Sequence, residues 1–440
     1  MASTYLTMTP TATDQGAAWT FSTWLKRGGI TAVQCIFSAG TVSSHRFQLN
    51  FQSDDTIGIF IDMVGVSSSD RKTTTKYRDP GAWYHILMNW NGTTTTLYVN
   101  GVETSMSAST TGDSSSKIVA GTNIQHKIGA HFDASDKFDG EMAHTHFSSS
   151  TSYAPTVFGE TDATSGIWVA KTSPSVTYGD NGFFLKYQDT SNFGDDSSGE
   201  TNDFAVAAGT MTQTKDTPDN NFATLNSINN YLSDATFSNG NNTIATSASK
   251  VASVLSTIGM TSGKWYFEIK PTARAGSADY LIGICSTQST ATTDELGNFA
   301  NDWGYYSSTG GTWNNNTNTA YGDTYDTDDI IGVAVDLTNS KLYFSKNGTW
   351  QNSGVPTSGA TGTGAVSITA VASTPLGVYF AGLSYYTAAS ATFNINFGNG
   401  YFGTTSHGET NADDAGIGLF KYDVPAGYYA LCTTNLGDQS

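Results

Sequence analysis

Charged side chains are scarce in this sequence. Asp, Glu, Lys and Arg make up 13% of its 440 residues, about half the share of roughly 25% in typical soluble domains. Ser, Thr, Asn and Gly must therefore supply most of the polar surface, and together with Tyr, Phe and Trp they favour strands and turns. No apolar run approaches the roughly 18 residues of a membrane-spanning helix, so membrane insertion is not expected.

Basic residues are the scarcer charged class. The chain has 20 Lys and Arg against 38 Asp and Glu, a formal charge of −18. Such a surface repels phosphate groups, so nucleic acid and anionic membranes are not expected as partners. Residues 1–13 lack the basic start and apolar core of a secretion signal. A protein acting outside the cell would then have to leave it by another route, such as lysis.

Cysteine is also rare. Cys35, Cys285 and Cys432 lie far apart, and no CxxC pair occurs. The sequence therefore encodes neither a zinc knuckle nor a redox motif, and the odd count argues against a disulfide framework.

Short alternating segments separated by turn residues fill the first half of the sequence. Residues 18–26 (AWTFSTWLK) alternate apolar and polar side chains with the period of a β-strand. Residues 83–90 and 95–99 flank Asn91-Gly92, a dipeptide that favours the tight turn of a hairpin. No long segment has helical periodicity, so this half is predicted to be β-structure.

The second half again consists of short strands and turns, after a stretch at residues 188–221 that is rich in Asp, Ser, Asn and Gly. This composition indicates a linker or a loop packed on a neighbouring domain. Strands are predicted at residues 263–270, 280–285, 330–337, 341–345 and 392–397. Many short strands with frequent turns are typical of a sandwich. We therefore predict an all-β fold of two antiparallel β-sandwich (jelly-roll) domains in tandem: a first domain at 1–190, a linker at 191–222, and a second domain with a C-terminal extension at 223–440.

Two family resemblances agree with this division. AWTFSTWLKR, WYHILMNWNGTTTTLYVNG and KIGAHFDASDKFDGEMAHTHF, within residues 15–190, resemble a laminin-G/concanavalin A-like jelly roll. GKWYFEIK, LIGI, DWGYY, AYGDTY, IIGVAVDLTNSKLYFSKNGTW and NINFGNGYF, within residues 235–400, resemble a SPRY domain in the family's own order. The one departure is Asp328-Asp329, where the family usually has Gly-Asp. This implies a changed local turn on an unchanged fold.

A third resemblance concerns the segments outside these motifs. FGETDATSGIWVAK, YGDNGFFLKYQDTSNFGDDSSGETNDF, DTPDNNFATLN and the ending PAGYYALCTTNL are similar to parts of virion proteins of marine tailed bacteriophages, which also carry laminin-G-like and SPRY-like modules. The resemblance implies a virion component, and it would account for release without a secretion signal.

Concanavalin-like sandwiches include glycosidases, which need two carboxyl groups at a fixed separation. Retaining enzymes of this fold resemble the pattern E-x-D-x-x-E. Here Glu160 and Asp162 supply only its first half, Ser165 stands where the second Glu would be, and Gly159 and Thr161 favour a turn. No G-x-S-x-G nucleophile motif occurs. No catalytic residue is predicted, and the protein is not expected to be an enzyme.

Calcium is the metal that the acidic loops would suit. Asp133, Asp136 and Asp139 offer three carboxylates, whereas Ca²⁺ takes six to eight oxygens. A solvated acidic loop explains the same residues, and both interpretations stay open here. The same holds for a second acidic group made of Asp323, Asp326, Asp328 and Asp329. His144 and His146 share a strand face by their spacing, and they are expected at the solvent face rather than on a metal. No other cofactor is expected.

Residues 303–325 combine aromatic rings with Asn, Thr and Gly, side chains that stack on sugar rings and bond their hydroxyls. The SPRY resemblance implies that such loops lie at the recognition surface, and that Trp303, Tyr305 and Tyr321 belong to the core. The ligand-binding candidates outside those core positions are Trp313, Asn314, Asn315, Asn316, Tyr385 and Tyr386.

We therefore predict a phage virion structural or adhesion protein: a tail fibre, a receptor-binding protein or a capsid decoration. It would sit on the particle surface in many copies or as a homo-oligomer, be released by host lysis, and bind host surface glycan or other virion proteins through its loops. One alternative is a concanavalin-like glycoside hydrolase or depolymerase acting on polysaccharide. Another is a purely structural decoration whose loops are buried against its neighbours.

Overall fold

The computed structural model describes residues 4–12, 18–41, 44–63, 66–107, 123–230, 232–247, 251–276, 279–386 and 390–439. The chain divides into two compact units, unit 1 at Met1–Gln213 and unit 2 at Thr214–Ser440. The division falls inside the segment predicted as a linker. Residues 191–213 fold with unit 1, since Phe204 is buried in its core and residues 205–208 pair with its first strand.

Two large antiparallel sheets form unit 1. Within the described residues its strands are β1 (Tyr5–Met8), β2 (Trp19–Arg27), β3 (Gln34–Thr41), β4 (Ser44–Phe51), β5 (Thr56–Met63), β6 (Val66–Lys76), β7 (Trp83–Trp90), β8 (Thr95–Val99), β9 (Val102–Glu103), β10 (His126–Ile128), β11 (Gly140–Ser148), β12 (Gly159–Thr161), β13 (Trp168–Ala170), β14 (Phe183–Leu185) and β15 (Ala205–Ala208). One sheet runs β15-β1-β10-β3-β4-β5-β6 and the other β14-β11-β2-β7-β8-β9, while β12 and β13 pair as a hairpin. A short 3-10 helix spans Pro155–Val157.

The side-chain period of two divides each strand of unit 1 between two faces. In β2, Trp19, Phe21 and Leu25 point between the sheets into the core. Trp24 lies on the opposite, outer face, yet it is also buried. The predicted hairpin is confirmed, with Trp90 opposite Thr95 across the turn.

Unit 2 repeats the two-sheet plan with more, shorter strands. Those in the described residues are β16 (Thr236–Ser238), β17 (Thr243–Ala245), β18 (Val254–Met260), β19 (Lys264–Arg274), β20 (Tyr280–Cys285), β21 (Asp302–Tyr306), β22 (Gly311–Asn314), β23 (Thr317–Ala320), β24 (Ile331–Asp336), β25 (Lys341–Lys346), β26 (Thr349–Trp350), β27 (Val366–Ser367), β28 (Tyr379–Tyr385), β29 (Ala391–Asn396), β30 (Tyr401–Phe402), β31 (Thr405–Ser406), β32 (Asn411–Ala412), β33 (Leu419–Phe420) and β34 (Tyr429–Ala430). The helical segments are α1 (Thr433–Asp438) and 3-10 turns at Ser227–Asn230, Gln351–Ser353, Pro356–Thr361 and Val371–Ser373.

The larger sheet of unit 2 follows β16-β17-β29-β19-β24-β25-β26, with β27 added beside β25 and β34 parallel to β19. The smaller sheet follows β18-β28-β20-β21-β22-β23. In β19, Trp265, Phe267 and Ile269 face the core between the sheets. Tyr266 and Glu268 face outward, where the C-terminal segment covers them. The chain is therefore all β, in tandem sandwiches, as predicted.

Candidate functional site

Three aromatic rings meet on the outer face of the smaller sheet of unit 2. The ring centroids of Tyr306 and Trp313 are 5.6 Å apart, those of Tyr306 and Tyr386 5.4 Å, and those of Trp313 and Tyr386 5.2 Å. The interplanar angles of 55° to 64° are those of tilted, edge-oriented aromatic pairs. Tyr386 is 40% exposed. We call Tyr306, Trp313 and Tyr386 the aromatic cluster.

Strand order brings these rings together from distant parts of the sequence. β20 pairs with β21 on one side and with β28 on the other, which places Tyr306 opposite Leu281 and Tyr385 opposite Tyr280. The next residue, Tyr386, is held by its backbone N–H on the carbonyl of Asp279, 3.0 Å away. The Tyr306 hydroxyl donates to the carboxylate of Asp279 at 2.8 Å. Burial, followed by that carboxylate, raises the pKa of Tyr306.

The indole N–H of Trp313 is a buried donor with no acceptor among the described residues. Gly297 allows the loop before β21 to approach this residue, since a Cβ at Gly297 would lie 2.4 Å from the Trp313 carbonyl oxygen. An unsatisfied buried donor costs about 1–3 kcal/mol. The cluster therefore retains a hydrogen-bond donor that the described residues of its unit leave unused.

The three asparagines after Trp313 shape the hairpin between β22 and β23. Asn314 donates its side-chain amide to the carbonyl oxygens of Asp302 at 2.8 Å and Ala300 at 3.1 Å. Asn315 and Asn316 have φ of 48° and 55°, left-handed conformations that Asn tolerates in tight turns. Their side chains are exposed. The structure thus assigns Asn314 a positioning contact and leaves Asn315 and Asn316 at the surface beside the cluster.

The prediction that Tyr385 is a surface residue is wrong. Its side chain is 1% exposed, because Tyr385 ends β28 in the same phase as the core residues Ala381 and Leu383, whereas Tyr386 follows the strand and contacts the outer rings. Tyr306, which sequence reasoning missed, takes its place in the cluster. Trp303 and Tyr305 are buried in the core and Tyr321 packs against it, as predicted. The same alternation along DWGYY that puts Trp303 and Tyr305 inward would have placed Tyr306 outward.

The three aspartates of the predicted calcium loop differ in their contacts and burial. The pKa of Asp133 is lowered by hydrogen bonding to the Ser135 side chain, to the Ser135 N–H at 2.9 Å and to His131 Nδ1 at 2.6 Å. Asp139 is largely desolvated, which raises its pKa, and the backbone carbonyl of Asp136 accepts the Cys35 N–H. In the described part of the chain, no three His, Cys, Asp or Glu side chains form a metal-binding group. Calcium at Asp133, Asp136 and Asp139 stays a prediction without geometric support.

Three of the four carboxylates in the second acidic group pair with cationic side chains. Asp326 pairs with Arg274 at 2.9 Å, Asp328 with Lys270 at 2.9 Å and Asp329 with Lys346 at 3.2 Å. Asp328 has φ of 71°, so the Gly-to-Asp departure from the family pattern leaves the backbone in the left-handed region. These carboxylates therefore have protein partners already.

A buried Ser-His pair lies on the outer face of unit 1. Ser22 Oγ is 2.8 Å from His85 Nε2, and the indole N–H of Trp168 donates to His85 Nδ1 at 3.0 Å. Because an indole N–H can only donate, Nδ1 must accept, and Nε2 carries the proton that it donates to Ser22. Burial lowers the pKa of His85 to about 3. This tautomer cannot take a proton from Ser22, which is the step a nucleophilic serine requires.

For His146, the expectation of a solvent-facing ring in β11 is wrong, whereas His144 is half-buried. His146 is 3% exposed, stacks on Phe184 with ring centroids 3.9 Å apart, and has Nδ1 2.9 Å from the Tyr178 hydroxyl. A bulge interrupts the pairing between Ala143 and His146, with φ of 48° at His144, and the His144 ring also stacks on Phe184, with ring centroids 6.4 Å apart.

The turn predicted around Glu160 is wrong, because residues 159–161 form β12 with Glu160 opposite Val169, and Asp162 begins the turn of the β12–β13 hairpin. The Asp162 carboxylate accepts hydrogen bonds from the backbone N–H and hydroxyl of Ser165 and from the Thr164 N–H, which lower its pKa. Glu160 is exposed and lies 3.8 Å from Lys171. The Asp162 carboxylate thus stabilises its own turn.

Unit 2 contains a buried carboxyl group at Glu268, which the sequence did not single out. It accepts hydrogen bonds from the backbone N–H groups of Lys421 and Tyr422, from the Asn396 side chain and from the Tyr266 hydroxyl. Desolvation raises its pKa to about 7. Its side chain is fully buried and fastens the C-terminal segment onto β19.

All three cysteines of the chain are free and buried. Burial raises the thiol pKa of each, that of Cys432 to about 11, which makes them unreactive. None of the helices in the described ranges has the length and apolarity that crossing a membrane requires.

Comparison with known families agrees with the division of the chain into two β-sandwich domains. Residues 1–157 match the model of the concanavalin A-like lectin/glucanases superfamily, and residues 264–381 match the SPRY domain. Domains of these two types suggest carbohydrate or protein binding. Among curated proteins, none matches the chain.

Similar solved structures include the SPRY domain of human HERC1, at 14% identity over 35% of this chain and 86% of that one, with a TM-score of 0.27. A heptameric SAP-like pentraxin from Limulus polyphemus is 16% identical over 39% of this chain and 86% of that one, with a TM-score of 0.28. Stonustoxin is 16% identical over 40% of this chain and 27% of that one, also with a TM-score of 0.28. By the family matches, the chain carries a concanavalin A-like domain at residues 1–157 followed by a SPRY domain at residues 264–381.

Proposed function

We propose that this protein is a glycan-recognition component of a phage virion and that the aromatic cluster of unit 2 contacts the sugar. The observation that carries the proposal is an exposed ring, Tyr386, resting on two others over a rigid sheet. Apolar sugar faces stack on such rings, and a rigid platform binds at low entropic cost.

Hydrogen bonding at the cluster supports the same proposal. A sugar hydroxyl or a bridging water entering beside Tyr386 would give the Trp313 indole N–H the acceptor that it lacks among the described residues. The exposed amides of Asn315 and Asn316 supply further donors and acceptors next to it. Single contacts of this kind are weak, and many copies on one particle would make attachment firm.

A glycan array probed with the labelled full-length protein tests the site. We expect binding by the wild type and a loss of about tenfold or more in Trp313→Ala and Tyr386→Ala, because each removes a stacking ring. Tyr401→Ala, a ring outside the cluster, is the matched control and should bind normally. Binding that survives both cluster substitutions would contradict the assignment.

The virion assignment is supported by the phage-like connector and C-terminal segments of the sequence. Immunogold electron microscopy of purified particles tests it, with labelling of tail or capsid expected. Unlabelled particles would contradict virion display. A blank array together with labelled particles would point to another virion protein as the partner instead of a glycan.

The hydrolase alternative has its own readout in the same experiments. Release of reducing sugar from a bound polysaccharide, at a rate proportional to protein concentration, would show that the protein is a hydrolase and not only a binding protein. We expect none, because Asp162 is occupied by Ser165 and Thr164, and His85 holds the tautomer that cannot activate Ser22.

A further inference from the structure

Among the described residues of unit 1, the edge strands of its two sheets approach each other. β6 ends one sheet and β9 ends the other. Two backbone hydrogen bonds join these edges, from Thr74 N–H to Ser105 O at 3.1 Å and from Ser107 N–H to Lys72 O at 2.8 Å. Beside that junction lies a cleft of about 360 Å³, which we call the edge cleft. Its volume falls within the range of about 300–1,000 Å³ of small-ligand sites.

Aromatic and aliphatic groups form part of the cleft wall. Tyr77 and Tyr84 pack edge to face, with ring centroids 5.8 Å apart. Both belong to the hydrophobic core, as does Val99, so these groups are held rigidly. The residues that line the cleft are Thr74, Thr75, Tyr77, Tyr84, Val99, Asn100, Val102, Glu103, Thr104 and Ser105.

Unused hydrogen-bonding groups complete the lining. Asn100 has φ of 49° in the turn between β8 and β9, and its Oδ1 accepts the His85 N–H at 2.8 Å, which fixes the amide and leaves its Nδ2 as a donor. The side chains of Thr74, Glu103 and Ser105 have no hydrogen-bond partner within the described residues. The cleft therefore offers an amide donor, a carboxylate acceptor and two hydroxyls that do both.

Charge narrows the ligand class. The lining contains one carboxylate and, among its described residues, no Lys, Arg or His. A sulfated, phosphorylated or uronic ligand would meet Glu103 without a compensating cation. Short hydroxyl and amide side chains beside tyrosine rings suit a ring-shaped polyol. We propose that the edge cleft binds an uncharged saccharide unit and forms a site separate from the aromatic cluster.

The test uses full-length protein carrying Trp313→Ala and Tyr386→Ala, so that the aromatic cluster is disabled. This variant is probed on an array of neutral and sulfated oligosaccharides, and the strongest neutral hit is titrated by calorimetry. Adding Thr74→Val and Glu103→Gln should weaken the hit by tenfold or more, because the first removes a hydroxyl and the second replaces a charged carboxylate acceptor with a weaker, neutral amide, both without a large change in shape. The matched control adds Thr93→Val and Glu200→Gln, the same chemical changes at exposed positions outside the cleft, and should leave affinity unchanged.

Each outcome decides the proposal independently of unit 2. The proposal is supported if the cleft substitutions abolish binding of neutral glycan and the control substitutions do not. This result would hold even if the aromatic cluster binds nothing. No neutral binding by the Trp313→Ala/Tyr386→Ala variant overturns it, as does binding that persists with Thr74→Val and Glu103→Gln. A preference for sulfated over neutral glycans also overturns it. A thermal melt of each variant confirms that the loss is not unfolding.

Discussion

Both units bury the outer face of a sheet under additional chain, and they use different polar groups to do so. In unit 1 the buried group is the imidazole of His85, stacked on Trp24 with ring centroids 4.9 Å apart and capped by Trp168. In unit 2 it is the carboxyl of Glu268 beneath the C-terminal segment. The neutral imidazole of His85 needs only one donor and one acceptor, whereas the carboxyl group of Glu268 accepts hydrogen bonds from four donors. The cost of burying a polar group thus sets how many partners the covering segment must supply.

The largest expected effect is in unit 2. Glu268→Ala leaves the N–H groups of Lys421 and Tyr422 without their acceptor, and removing one partner from a buried network of this kind costs about 3–5 kcal/mol. We expect rapid hydrogen exchange in residues 417–431, measured by mass spectrometry on the full chain. Glu268→Gln keeps the shape of the side chain and one acceptor. Its rate of hydrogen exchange in these residues should lie between those of Glu268→Ala and the wild type. Unchanged exchange in Glu268→Ala would show that apolar packing alone holds the segment.

A smaller loss is expected in unit 1. His85→Ala removes a stacked ring and leaves the Trp168 indole and Ser22 without their partner, so we expect the urea transition of unit 1 to lose about 3 kcal/mol. Trp168→Phe keeps a ring and removes only the N–H, which should cost about 1 kcal/mol. Equal losses in the two variants would mean that the hydrogen bond, rather than the stacking, carries the outer layer.

The inner faces of both sandwiches were predictable, and the covered outer faces were not. Local signals suffice for a hairpin such as β7–β8, where alternation and Asn91-Gly92 agree. The same alternation predicts solvent beside His146, because nothing local reveals that residues 150–178 return to cover it. Whether an outward position meets water depends on chain that lies distant in sequence.

Prediction of the aromatic cluster from the sequence was limited in the same way. Trp313 and Tyr386 were both expected at a recognition surface, but their contact depends on the strand order β22-β21-β20-β28, which no local pattern encodes. Tyr385 was misplaced because two adjacent tyrosines look alike until the strand phase is known. Tyr306 was missed for the same reason, and the phase of DWGYY was the one signal in the sequence that could have found it.

Acidity should affect the two units in opposite directions. The folded pKa of His85 is about 3, below its ordinary value of 6.5, so its contribution to stability is present above pH 6.5 and is lost as the pH falls toward 3. The folded pKa of Glu268 is about 7, above its ordinary value of 4.5, so its contribution is present below pH 4.5 and is lost as the pH rises through 7. Between pH 7 and pH 5 each change amounts to about 2 kcal/mol.

Hydrogen exchange corrected for intrinsic rates measures both changes in one sample. From pH 7 to pH 5 we expect opening of residues 150–178 to become easier and opening of residues 417–431 to become harder. Glu268→Gln should abolish the second trend and leave the first. Parallel trends in the two segments would mean that net charge, and not these two buried groups, governs the response.

The smallest expected effect is at the acidic surface loops, where the units again differ. In unit 2 the carboxylates of Asp326, Asp328 and Asp329 already face cationic side chains, whereas in unit 1 Asp133 bonds within its own loop. Because neither arrangement gathers the six to eight oxygens that Ca²⁺ takes, replacing EGTA with millimolar CaCl₂ should shift each melting temperature by less than about 1 °C. A rise of several degrees in unit 1 that Asp133→Asn removes would instead establish calcium at that loop. The same rise retained in Asp133→Asn would place the ion elsewhere in the molecule.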